Sequence, residues 1–181
     1  MVVLGAEGAK SENDIGGNMP DPGRYHVVIT AVDESFDKYN SITVDFQVLT
    51  GNKPGQVDRT LTEYFSVSEK AIPRLKRLAL CVGLLQPGEA EREIEFEQAV
   101  GRQLVIEVEE NEYEKNGEKK KGRRISWVGM WSTGNKEVAD VPKDVEALKL
   151  LDGEQSPSPP PGNDDTPSAN GNAKPDKWDN L

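Results

Sequence analysis

A chain of 181 residues that is 35% hydrophobic, with 12 prolines and 17 glycines, has room for one domain of ordinary size beside segments too polar to bury a core. Its net charge of -10 excludes a uniformly basic surface, yet residues 21–142 hold 17 basic and 21 acidic side chains, so more than half of the excess lies in the flanks. A single cysteine, Cys81, excludes an intramolecular disulfide, no run reaches the ~18 apolar residues that span a bilayer, and no signal-peptide pattern is present, so a cytoplasmic protein is expected.

Residues 1–19 mix Gly, Ala, Glu, Ser and Asn without period and read as a flexible arm. Pro20-Asp21-Pro22-Gly23 is a turn signal that opens the domain. Residues 24–33 form a β-rich run that is apolar on both faces, as near the middle of a curved sheet. After a loop, Ile42, Val44, Phe46 and Val48 alternate with Thr43, Asp45 and Gln47, the pattern of a half-buried strand. A turn at 51–55 leads to a third strand over 57–65, with Val57, Leu61 and Phe65 expected on one face.

Leu75, Leu78, Ala79 and Val82 then follow helical spacing, with Pro73 marking the start and Gly83 the stop. The helix's Arg74, Lys76 and Arg77 read as its solvated face. Residues 84–100 are a glutamate-rich connector with a short helical turn near Phe96. Strands over 103–110 and 123–131 flank a polar hairpin tip containing Asn116-Gly117. Past Asp152 the chain is Gly, Ser, Pro, Asn and Asp with almost no apolar residue.

Three strands, a helix and two strands is the order of the OB-fold. The expected fold is therefore all-β with one helix, an OB-like five-stranded barrel of order β-β-β-α-β-β with disordered termini. Another small barrel, or an open sheet capped by one helix, is the rival. The expected organisation is an arm at 1–19, the domain at 20–142 and a disordered, acidic, Pro/Gly-rich tail at 143–181.

The residues give no support for an enzyme. His26 is the sole histidine and lies in an apolar strand, and no zinc, P-loop or EF-hand spacing occurs. Asp45, Asp58, Glu63, Glu107 and Glu109 have the chemistry for a magnesium site, but alternating carboxylates on a strand read more simply as a solvated face. Neither a cofactor nor a metal is expected.

Binding has better material, because OB-folds hold single strands with aromatic rings for bases and cations for phosphates. The loop between the first two strands offers Lys38 and Tyr39. The last hairpin offers Tyr113, Lys115, Lys119, Lys120, Lys121, Arg123 and Arg124, and Arg59 and Tyr64 on the third strand are placed between them. The bland alternative is that hairpin lysines serve solubility and Tyr64 is core. Trp127 and Trp131 are expected to share a face with Ile125 as core or rim residues, outside the site. In the tail, Asp176, Trp178, Asp179 and Leu181 read as a short motif whose apolar anchors dock in a partner while its acids steer.

Pro22-Gly23-Arg24-Tyr25, Phe46 to Gly51 with Gly55, Phe65, the helix at 75–83, and Gly101-Arg102 leading to Val108-Glu109-Glu110-Asn111-Glu112-Tyr113 with Asn116-Gly117 carry a resemblance. Over about residues 20–132 the chain resembles a widespread family of small phage and prophage proteins catalogued as a domain of unknown function, similar to phage single-stranded DNA-binding proteins. The resemblance implies a role in the replication and recombination module of a phage or prophage in a bacterial host cell, and supplies no catalytic residues. The expectation is a sequence-nonspecific single-stranded DNA-binding protein that reaches phage or host replication and recombination proteins through its tail. The alternative is an adaptor of the same module that binds protein and no nucleic acid. The tail departs from the single-strand-binding pattern in that Lys174 and Lys177 dilute its acidity and Trp178 is not terminal.

Overall fold

A computed structural model describes residues 19–36 and 40–154. The expected arm, Lys38, Tyr39 and the tail motif at Asp176, Trp178, Asp179 and Leu181 lie outside the described residues. In chain order the elements are β1 (Gly23–Asp33), β2 (Ser41–Gly51), β3 (Thr60–Ser66), α1 (Ile72–Cys81), a 3-10 turn (Phe96–Ala99), β4 (Gln103–Lys115), β5 (Glu118–Trp131), a second 3-10 turn (Lys136–Val138) and α2 (Val145–Glu154). The strands form one antiparallel sheet in the order β3-β2-β1-β4-β5.

β1 is central because both of its faces are covered. Tyr25, Val27 and Ile29 enter the main core, while His26 is fully buried on the opposite face. Two register shifts between β1 and β2, at His26/Val27 and Ile29/Ala31, bend the pair. β2 keeps strict alternation, with Ile42, Val44, Phe46 and Val48 all buried. β3 is shorter than the sequence suggests. Val57 precedes it in a turn and is exposed, so only Leu61 and Phe65 of the expected apolar trio pack inward.

In α1, Pro73 sits in the first turn, where no hydrogen bond is lost, and Gly83 follows the helix at φ +73°, a conformation that ends it. Leu75, Leu78 and Ala79 join the core with Val82 and Leu84. The expectation that the basic residues of α1 form a solvated face holds for Lys76 and fails for Arg74, which is buried. Arg74 Nη2 donates to the Ile125 carbonyl at 2.9 Å, and Arg77 Nε donates to the Met130 carbonyl at 2.9 Å, so both bind α1 to β5.

β3 and β5 are the two edges of the sheet, and side chains link them. Glu63 on β3 accepts the backbone N–H of Ile125 on β5 at 2.9 Å through Oε2 and pairs with Arg74 Nη1 at 3.1 Å through Oε1. The backbone groups of Ile125, which an edge strand leaves without a ladder partner, are thereby satisfied in the interior.

The chain does not end its regular structure near residue 142. Val105, Trp131, Val138 and Val141 form a small second cluster, and α2 follows. A second helix was not expected, because the composition of the tail as a whole hides a local signal. Asp144 accepts the backbone N–H of Ala147 at 3.0 Å through Oδ1, as a helix N-cap does. No helix among the described residues is long and apolar enough to cross a membrane.

Candidate nucleic-acid interface

The β4–β5 hairpin is a continuous ribbon in which the expected polar tip is regular strand. Pairing runs from Val108 opposite Ile125 to Lys115 opposite Glu118, and Asn116 and Gly117 close it at φ +55° and +78°. Positive φ at both central residues is the tight hairpin turn that the Asn-Gly pair favours. The cations therefore alternate between two faces rather than gathering at a loop.

One face carries the cross-strand pairs Glu110 with Arg123, Glu112 with Lys121, and Glu114 with Lys119. The other carries Glu109 with Arg124, Asn111 with Gly122, and Tyr113 with Lys120. Arg124 pairs with Glu109 at 2.7 Å, and Glu110 takes both Lys121 at 2.9 Å and Arg123 at 3.1 Å. The hydrogen bond from Lys121 holds the Glu110 carboxyl below its ordinary range and raises Lys121 in turn. Residues 109–124 contain six Lys and Arg against five Glu, so the ribbon is nearly neutral. Lys115, Lys119 and Lys120 are exposed and make no ion pair among the described residues.

Tyr113 lies beside Gly122, where an added Cβ would stand 3.1 Å from Tyr113 Cε1 and 2.9 Å from Asn111 Oδ1. The missing side chain lets the ring rest on the ribbon while staying partly exposed.

The remaining expected residues are not part of the ribbon. Arg59 precedes β3 and donates to the Met19 carbonyl at 3.1 Å. Tyr64 is exposed on the outer face of β3, opposite Thr43. That outer face of β2 and β3 is polar and carries no cation: Thr62 donates to Asp45 at 2.6 Å, and Gln47 to Asp58 at 3.2 Å.

Trp127 is where the sequence reading fails most informatively. Ile125 pairs with Val108 and Met130 with Ile106, so four residues of β5 oppose Glu107 alone. The bulge resets the alternation. Ile125 and Met130 face the main core, Trp131 crosses to the small cluster, and Trp127 and Val128 are left 56% and 60% exposed. Trp131 Nε1 donates to Glu137 at 2.7 Å, with the Arg24 guanidinium 4.9 Å from its ring centre. The signal present in the sequence was Gly129, whose position an added Cβ would bring to 2.1 Å from Ser126 Oγ and 2.8 Å from Glu107 Cβ.

The groups with catalytic potential are engaged. The backbone N–H of Asp144 donates to His26 Nδ1 at 3.0 Å, which makes Nδ1 an acceptor and puts the ring proton on Nε2, 2.9 Å from Gln103 Oε1. Gln103 Nε2 donates onward to the Ala147 carbonyl of α2 at 2.8 Å. Burial pushes the Cys81 thiol up to about 11, far from a reactive thiolate. Among the described residues no three His, Cys, Asp or Glu stand together as a metal would need.

In comparisons with known proteins, no family model and no curated protein matches the chain.

Proposed function

We propose that this chain binds single-stranded DNA without sequence preference, through an OB-like barrel of the kind used in phage and prophage replication and recombination. The sheet order β3-β2-β1-β4-β5 and the side-chain link between its two edges at Glu63, Arg74 and Ile125 support the barrel. The observation that carries the binding reading is the β4–β5 ribbon, whose end presents Lys115 and Lys120 on the same face as Tyr113 and Lys119 on the other. Cations reaching phosphates beside an aromatic ring are what a single strand requires.

The ion pairs within the ribbon set the strength of this binding. Lys121, Arg123 and Arg124 are already neutralised by Glu109 and Glu110, so three lysines rather than six cations release counterions from a bound strand. The affinity is moderate and its salt dependence shallow. The polar, cation-free outer face of β2 and β3 offers nothing to phosphates and leaves the strand to the ribbon and β5.

The same near-neutral ribbon favours the adaptor reading, since a protein partner has no need of a cationic excess. Reversing Lys119 and Lys120 to Glu separates the two. Under the proposal, binding of an oligo-dT at low salt is lost while the thermal midpoint stays put. Unchanged oligonucleotide binding in that variant contradicts the assignment of the ribbon.

A further inference from the structure

We infer that Trp127, raised on the bulge of β5, is a stacking platform for an unpaired base of the bound strand. The inference rests on the single-strand reading above and adds a contact that the cations do not provide. Three observations point to it.

First, the bulge is a built feature. Four residues stand against one, Ser126 Oγ donates to Glu107 at 3.3 Å, and the backbone at Gly129 passes too close to Ser126 and Glu107 for any side chain. Its consequence is to place a tryptophan and a valine in solvent, an arrangement that costs hydrophobic burial and yields nothing to the core. Second, the ring is held from within. The Arg74 guanidinium lies 5.6 Å from the Trp127 ring centre and 4.7 Å from that of Phe65, and is itself fixed by Glu63 and the Ile125 carbonyl. A ring braced on one side and open on the other loses little freedom when a base covers it.

Third, Trp127 lies on the same strand as the ribbon lysines Lys119 and Lys120. Lys119 and Ile125 are six residues apart on β5, roughly 20 Å at strand rise, and Trp127 comes just beyond. Glu63 binds Ile125 across the gap between the edges, so Tyr64, next to Glu63, and Trp127, two residues past Ile125, flank the same seam. A strand whose phosphates follow the ribbon lysines reaches Trp127 with its bases.

The test uses the full chain and a dT oligomer of about 30 nucleotides. Trp127→Ala should weaken binding roughly tenfold, the usual worth of one stacked base, with the slope of affinity against salt unchanged, and Trp127→Phe should restore most of it. An abasic oligomer of the same length should bind the wild type and Trp127→Ala alike. As a measurement that needs no destabilising change, a Trp178→Phe variant should lose tryptophan emission when dT is added, and adding Trp127→Phe should abolish that quenching. Wild-type binding of dT with full affinity in Trp127→Ala and no quenching overturns the platform alone. Failure of the wild type to bind dT at low salt overturns the single-strand reading and the platform with it.

Discussion

Glu63 on β3 accepts the backbone N–H of Ile125 on β5 at 2.9 Å, and Arg74 of α1 donates to the same residue's carbonyl at 2.9 Å. One edge residue thus has both backbone groups satisfied by a buried ion pair. Such a pair adds modestly to stability when complete and is costly to break, because the surviving charge stays buried. Glu63→Gln and Arg74→Met are each expected to destabilise the fold by about 3–5 kcal/mol in urea unfolding. The double variant should cost less than the two single losses added together, since both act on one network. Single losses below about 1 kcal/mol would mean that the edges meet without this link.

The imidazole of His26 is held below its ordinary pKa of 6.5, first by burial, against the opposing hydrogen bond that its Nε2–H donates to Gln103 Oε1. The folded protein therefore keeps His26 neutral at a pH where the unfolded chain takes up a proton. This contribution to stability is complete above about pH 6.5 and is lost as pH falls from there toward the depressed folded value, below which it levels off. Because His26 is the only histidine, thermal midpoints between about pH 5.5 and 8, where most carboxylates stay ionised, should decline toward acid. His26→Gln should flatten the profile. An imidazole NMR titration centred at or above 6.5 in the folded protein would contradict it.

Gly129 and Gly134 make an internal comparison. A Cβ at Gly129 meets Ser126 Oγ at 2.1 Å, whereas one at Gly134 meets nothing within 4 Å. Gly129→Ala should cost about 1–3 kcal/mol through overpacking, and should shift Trp127 emission as the bulge rearranges. Gly134→Ala should stay within about 0.5 kcal/mol of wild type. Equal stability of the two variants would remove the argument that the bulge is closely fitted.

Those residues also mark where the sequence was legible. β2 and α1 could be read because each buries one face: the alternation of Ile42 to Val48 and the Pro73 and Gly83 boundaries describe real elements. The outer part of the ribbon could not, since a strand pair exposed on both faces has no apolar period, and residues 111–122 read as a polar tip between two strands. The positions of its cations were legible while their neutralisation was not, because the pairing of Arg124 with Glu109 depends on register across the hairpin. The bulge inserts four residues against one, which the periodicity of one strand does not register, and so Trp127 reads from the sequence as a core or rim residue. Arg74 reads as solvated from its charge alone, whereas its position puts it beside Leu75 and Leu78, the residues with which it is buried.

The most direct test of the account is the salt dependence of oligo-dT binding by the wild-type chain, read by fluorescence anisotropy with a duplex competitor. With three lysines free to release counterions, the slope of log affinity against log salt should be about -2, where six free cations would give about -4. Binding at low salt that prefers single strands over duplex and follows the shallower slope is the expected result. Absence of binding at low salt would contradict the account and leave the protein-binding adaptor as the better reading.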